Sequence, residues 1–130
     1  MSSLAYLDAS ALVKLVLDEA ESQALHRWYV EAEHLVTSRI GIIETLRATA
    51  RTSFDADHRD IVLRDIEVIE LSQAIANVAA SVAPAAARSL DAIHLATALA
   101  LLGEVDAFVT YDDRLASAAR ASGLPVIRPA

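Results

Sequence analysis

Four acids in this chain sit where an acid is out of place. Asp8 ends the short apolar run Leu4-Ala5-Tyr6-Leu7, and Asp112 follows a second one, Phe108-Val109-Thr110-Tyr111. Asp91 lies among Leu90, Ile93 and Leu95, and Glu44 among Ile42, Ile43 and Leu46. Each has an ordinary explanation alone. Asp8 or Ser10 can cap a helix by accepting a bond from a free backbone N–H. Asp91 and Asp112 can steady helix starts through the macrodipole, and Glu44 can pair with Arg47 one turn on. Jointly these explanations weaken, because four carboxylates at one edge repel unless cations lie between them. Oxygen donors without cysteine or a histidine pair favour Mg2+ or Mn2+ over zinc. Two such ions in a carboxylate nest can activate a water and stabilise the leaving oxygen of a phosphodiester.

The elements that must position these acids follow from apolar spacing. Leu4–Leu7 is too short for a helix and reads as a buried strand, while Ala11, Leu12, Leu15 and Val16 recur at helical spacing. A helix is expected over Glu19–Glu33, with Ala24, Leu25, Trp28 and Ala32 on one face, and a strand over His34–Thr37. Ile40–Arg51 reads as a helix with Ile43, Leu46 and Ala50 apolar, and Thr52-Ser53 as the cap of a charged helix, Phe54–Asp65, anchored by Ile61 and Leu63. Glu67–Leu71 alternates like a half-exposed strand. Ser72 caps an alanine-rich helix ending near Pro84, and a loop through Ala85–Arg88 leads to Ser89. Ser89 is expected to cap a helix over Leu90–Leu102, which Gly103 stops. A strand over Ala107–Thr110, a helix over Asp112–Ser122 and a short strand at Val126-Ile127 complete the chain. This alternation predicts an α/β fold, a three-layer sandwich with a mostly parallel central sheet and right-handed crossovers. Open parallel sheets bind ligands beyond the carboxyl ends of their strands, where Asp8 and Asp112 would stand.

Composition sets outer bounds. With 130 residues the chain is expected to form one domain, 1–130, around a core suited to its 55% hydrophobic content and few aromatics. The absence of cysteine excludes disulfides, thiol catalysis and cysteine-bound zinc. No secretory signal pattern is seen and charges interrupt every apolar run, so no membrane partner and a cytoplasmic location are expected. A net charge of −7 argues against a general nucleic-acid binder, whose affinity rests on a basic surface. It leaves open an enzyme that meets phosphates through bound cations. Glu31, Glu33, Asp55, Asp57, Asp60 and Glu67 read as a solvated acidic surface.

Tyr6-Leu7-Asp8-Ala9-Ser10, Glu44 with Leu46-Arg47, Leu90-Asp91-Ala92-Ile93-His94-Leu95-Ala96-Thr97-Ala98 and Val109-Thr110-Tyr111-Asp112 resemble, in order and over essentially the whole chain, the four acidic motifs of the PIN domain. More narrowly, they resemble the VapC ribonuclease toxins of bacterial toxin–antitoxin pairs. The Leu90–Ala98 motif is the most specific. The resemblance implies Asp8, Glu44, Asp91 and Asp112 as metal-binding catalytic acids around Mg2+ or Mn2+. It also implies a homodimer, single-strand-selective RNA cleavage leaving a 3′-hydroxyl and a 5′-phosphate, and inhibition by a VapB-type antitoxin. Asp113 adjoins Asp112 and competes for the fourth place, although the Thr-x-Asp-x-x-Leu spacing from Thr110 to Leu115 favours Asp112.

Other side chains carry two readings each. Ser10 and Thr110 could orient a ligand or water, or cap a helix and finish a strand. His94 lies one turn beyond Asp91, where contact with RNA competes with a buried, hydrogen-bonded role. Arg47 and Arg51 continue the face of Glu44 and could guide phosphates, or pair with nearby acids; Lys14 and Arg88 stand equally open. Trp28 and Tyr29 read as packing or dimer contacts, and Arg39 has no evident role. A dehalogenase-like phosphatase would need a second acid where Ser10 stands, and a receiver domain would need an Asp near Glu70-Leu71-Ser72. The remaining rival is a PIN-like module that binds without cleaving.

Overall fold

The computed structural model describes residues 3–82, 84, 87–101 and 103–130. Five strands, β1 (Leu4–Leu7), β2 (His34–Ser38), β3 (Glu67–Ile69), β4 (Ala107–Val109) and β5 (Val126–Ile127), form one sheet in the order β3-β2-β1-β4-β5. Every neighbouring pair is parallel. Among the described residues seven helices accompany them: α1 (Ala9–Val16), α2 (Ser22–Glu31), α3 (Arg39–Thr49), α4 (Ala56–Arg64), α5 (Gln73–Ser81), α6 (Ser89–Leu99) and α7 (Asp113–Ala121). Parallel strands need long crossovers, and amphipathic helices supply them while covering both faces of the sheet. The expected α/β sandwich is therefore the observed one.

Side chains alternate across the two central strands and build two cores. Ala5 and Leu7 of β1, with Ala107 and Val109 of β4, pack against Leu12, Leu15 and Leu25. Tyr6 and Phe108 point to the opposite face and meet Leu95, Leu115 and Ala119. The Tyr6 and Phe108 rings stack at 5.2 Å with a 7° interplanar angle. β1 and β4 are paired at the centre of the sheet, so the residues just past their ends, Asp8 and Thr110, are buried as well.

Several local expectations need correction. α4 is capped by Asp55, whose carboxylate accepts from the His58 N–H, and not by Thr52-Ser53. Its buried anchor is Val62, while Ile61 is 55% exposed. α6 begins at Ser89 behind Arg88 with no side-chain cap, and its expected end at Leu102, like Ala85 and Ala86 in the preceding loop, lies outside the described residues. α3 is inverted relative to its apolar stripe: Ile43, Leu46 and Ala50 face outward, and Gly41, Thr45 and Thr49 face inward. The two threonines tolerate burial because each hydroxyl donates to the carbonyl one turn back, Thr45 to Gly41 at 2.7 Å and Thr49 to Thr45 at 2.9 Å. Among the described residues no helix is long and apolar enough to cross a membrane.

Candidate active site

The acids meet at the carboxyl edge of the sheet. Asp8 follows β1 directly and caps α1: its Oδ1 accepts from the Ala11 N–H at 3.0 Å and from the Ser10 hydroxyl at 2.7 Å. Its Oδ2 accepts from the Thr110 hydroxyl at 2.6 Å, across from the end of β4. Thr110 Oγ1 in turn accepts from the Asp112 N–H at 3.1 Å, and Ser10 Oγ accepts from the Tyr111 N–H at 2.8 Å. Two hydroxyls thus tie the ends of β1 and β4 together around one buried carboxylate. Burial pushes the Asp8 carboxyl above its usual range, against the pull of the Thr110 hydroxyl, the nearby His94 and the Ser10 and Ala11 donors.

Asp112 caps α7 by accepting from the Leu115 N–H at 3.0 Å with Oδ1. Asp91, in the first turn of α6, has a partly buried carboxyl pushed upward first by burial and next by the charge of Asp112. His94 and Arg88 oppose that rise, and Glu44 adds to it. Asp112 and Glu44 therefore both lie within electrostatic reach of Asp91. Asp113 does not join them: its side chain is 92% exposed and pairs with Arg128 Nη1 at 2.7 Å. The adjacent acids have separated, with Asp112 toward Asp91 and Asp113 toward the C-terminal segment.

Glu44 is reached from another side. The His94 imidazole is 2% exposed, with Nδ1 2.6 Å from the Tyr6 hydroxyl and Nε2 2.7 Å from Glu44 Oε1. Glu44 pairs with His94 rather than with Arg47, which corrects one expectation. Of the two readings of His94, the buried and hydrogen-bonded one is observed, and contact with RNA is not open to it. Arg47 and Arg51 have no carboxylate partner among the described residues and line a groove of about 660 Å³ with Ser10, Glu44, Ile43 and Leu90. Lys14 also lines the groove but is engaged, 3.1 Å from Glu21 and stacked 5.0 Å above the Tyr111 ring. Trp28 and Tyr29 pack against the first core, and the Tyr29 hydroxyl donates to Asp65 at 2.7 Å. Arg39 forks onto Glu70, its Nε donating at 3.0 Å. Sequence reading had no signal for this pair, because 31 residues separate its members.

The donor set is chemically suited to a hard divalent cation, with four carboxylates at one edge and a proton affinity at Asp91 raised by burial and then by Asp112. Their spacing is wider than one coordination shell. Among the described residues no three Asp, Glu, His or Cys side chains stand close enough to grip a single ion together. The acids share an edge and a field without forming a closed cage.

An all-parallel five-stranded sheet that carries acids past β1 and β4 and on α3 and α6 has the architecture of a PIN domain. The PIN domain family model matches residues 5–121, and the chain belongs to that family. Ribonuclease VapC47 of Mycobacterium tuberculosis (strain CDC 1551 / Oshkosh) is 36% identical over 130 residues, covering 95% of this chain and 96% of the relative. Among solved structures, Mycobacterium tuberculosis VapC20, described as a Sarcin-Ricin loop cleaving toxin, superposes with a TM-score of 0.74 at 15% identity, covering 96% of this chain and 99% of the other. VapBC2 from Rickettsia felis, bound to a DNA fragment from its promoter, gives 0.71 at 13% identity, covering 98% and 99%.

Proposed function

We propose that this chain, as a single domain over 1–130, is a metal-dependent endoribonuclease acting as the toxin of a VapC-type pair in the cytoplasm. The observation that carries the reading is the meeting of Asp8 and the Asp112 turn through Thr110 at the carboxyl edge of the sheet, within a PIN domain whose curated relative is a ribonuclease. Asp91, Asp112, Glu44 and the free lone pair of Asp8 would hold Mg2+ or Mn2+. Ions bound there supply Lewis acidity and lower the pKa of a water that attacks phosphorus. Water adds across the P–O3′ bond, leaving a 3′-hydroxyl and a 5′-phosphate. Ser10 and Thr110 hold the Asp8 carboxylate still, and Arg47 and Arg51 receive flanking phosphates along the groove. Because the chain is net acidic, these few arginines and the bound cations must supply the attraction for RNA.

Two partners follow. The VapBC2 neighbour supports a VapB-type antitoxin, which would block the edge by placing an Arg or Lys against Asp8 and Asp91. Exposed apolar side chains on contiguous helices, Ile43 and Leu46 on α3, Val78 on α5 and Leu90 on α6, support a second copy of the chain as a homodimer partner. The test is cleavage of a single-stranded RNA pool with Mg2+ or Mn2+. Asp8→Asn should lose most activity, and EDTA should abolish it in the wild type. Full activity of the wild type in excess EDTA would sink the reading, and no cleavage under any divalent metal would favour the binding-module alternative.

A further inference from the structure

A buried histidine normally needs a structural reason to be polar at all, since transferring an imidazole from water is costly unless both nitrogens find partners. His94 finds them in two places far apart in sequence, 88 residues away in β1 and 50 residues away in α3. We propose that His94 is a positioning residue for Glu44, itself fixed by Tyr6; this rests on the metal-binding role given to Glu44 above.

The geometry runs outward from the core. Tyr6 is fully buried and held in plane by its stack on Phe108, so its hydroxyl has one direction to point. It reaches His94 Nδ1 at 2.6 Å. When the hydroxyl donates, a neutral ring must carry its proton on Nε2 and donate it to Glu44 Oε1 at 2.7 Å. The ring edge between the two nitrogens faces α3: a Cβ at position 41 would lie in ordinary contact, 3.4 Å from His94 Cε1, but only 2.3 Å from Thr37 Oγ1. Glycine at 41 therefore lets α3 settle onto Thr37 of β2 beside the ring, and Glu44 follows three residues later, close to one helical turn. Without this arrangement a glutamate whose side chain is 30% exposed would sample several rotamers. With it, Oε1 is engaged and Oε2 is left for a cation or a water. An outer partner that orients an anionic ligand in this way typically accounts for about 10–100-fold in metal affinity or activity.

The experiment compares His94→Phe, His94→Gln, Tyr6→Phe and Glu44→Ala in the full chain. Mn2+ affinity is measured by calorimetry in the absence of RNA, and kcat and KM on a short single-stranded RNA. His94→Phe keeps the ring volume and removes both bonds; Mn2+ affinity should fall at least about tenfold and kcat should fall with KM unchanged. His94→Gln should recover most of the loss, because its amide N–H can reach Glu44 from a similar place. Combined with Glu44→Ala, His94→Phe should add nothing. Wild-type Mn2+ affinity in His94→Phe, or losses that multiply with those of Glu44→Ala, would overturn the proposal. If His94→Phe fails to fold, Tyr6→Phe decides: a drop in Mn2+ affinity that vanishes in the Glu44→Ala background supports it, and unchanged affinity refutes it. A silent Glu44→Ala would instead remove the metal role of Glu44. A crippled Glu44→Ala beside a silent His94→Phe removes only the positioning role.

Discussion

Alanine at position 41 is a sharp test of how α3 is seated. Taken as an isolated helix, Gly41→Ala should stabilise by about 1 kcal/mol, because alanine loses less backbone entropy and has the higher helix propensity. The structure argues the opposite sign. The added Cβ would lie 2.3 Å from Thr37 Oγ1, inside any tolerable contact, and Thr37 is fully buried. That hydroxyl cannot rotate away freely, since it donates at 2.7 Å to the carbonyl of Leu7, the last residue of β1. Breaking the bond leaves buried polar groups unpaired at about 1–3 kcal/mol. Keeping it forces α3 outward, with an overpacking cost of similar size. Against a gain of about 1 kcal/mol, a cost toward the upper end of that range leaves up to about 2 kcal/mol of net destabilisation, or a melting temperature lower by up to roughly 8 °C for a domain this size. Thermal unfolding in EDTA measures it without metal linkage. Thr37→Ala empties the space the new methyl needs, so the double variant should be no less stable than Thr37→Ala alone. A Gly41→Ala protein as stable as wild type, or losses that simply add in the double variant, would refute the close approach.

Asp91→Asn removes the charge at the centre of the acidic cluster, so in EDTA it should melt at or above the wild-type temperature, and its Mn2+-induced shift should shrink. Wild type at a hundred times the metal dissociation constant should gain about 2.7 kcal/mol; an Asn variant that is less stable in EDTA and keeps the full Mn2+ shift would contradict the assignment. The carboxyls of Asp8 and Asp91 both lie above their ordinary values, so the native state binds those protons more tightly than the unfolded chain does. Their contribution is complete below the ordinary value of 3.8 and is lost as pH rises through the raised ones. The metal-free wild type should therefore lose melting temperature more steeply than Asp91→Asn as pH rises above 3.8; equal slopes would count against it. Thr110→Val keeps the shape of the side chain but strips Asp8 Oδ2 of its donor, at a cost of about 1–3 kcal/mol in urea unfolding at neutral pH. That cost should shrink as pH falls and Asp8 takes up its proton; a loss independent of pH would mean the hydroxyl serves packing alone.

Where local pattern and global packing agree, the fold is legible in the sequence. The α1 residues Ala11, Leu12, Leu15 and Val16 are all buried, and the strands fall where short apolar runs end in polar residues. α3 breaks that agreement. Its apolar residues face outward, and its buried face is a glycine and two threonines, which hydropathy cannot distinguish from a solvated stripe. What makes the face buriable is backbone hydrogen bonding one turn back and a close approach at Gly41, both properties of the assembled structure. The same holds for the site. The acids could be singled out because carboxylates among apolar neighbours are conspicuous, and the Leu90–Ala98 motif drew attention to His94. Its partners Tyr6 and Glu44 could not be paired with it, since neither lies on the same element.

The four acids, similar on the page, divide their work by how many of their lone pairs the protein already uses. An ionised carboxylate has about four acceptor sites. Asp8 spends three of them on Ala11, Ser10 and Thr110, and in doing so locks the end of β1 to the end of β4 and starts α1. It can offer one site to a cation. Asp112 and Glu44 each spend one, on Leu115 and His94, and Asp91 accepts no hydrogen bond among the described residues. The carboxylate with the least protein support is thus one whose proton affinity is raised by burial first and by the charge of Asp112 next, which is where a cation would relieve repulsion. Asp8 anchors the edge and holds its charge in a fixed position; on the proposed reading Asp91 would be the open ligand around which the others are arranged. Substituting Asp8 should therefore perturb the scaffold along with any metal binding, while substituting Asp91 should perturb metal binding and leave the scaffold as it was.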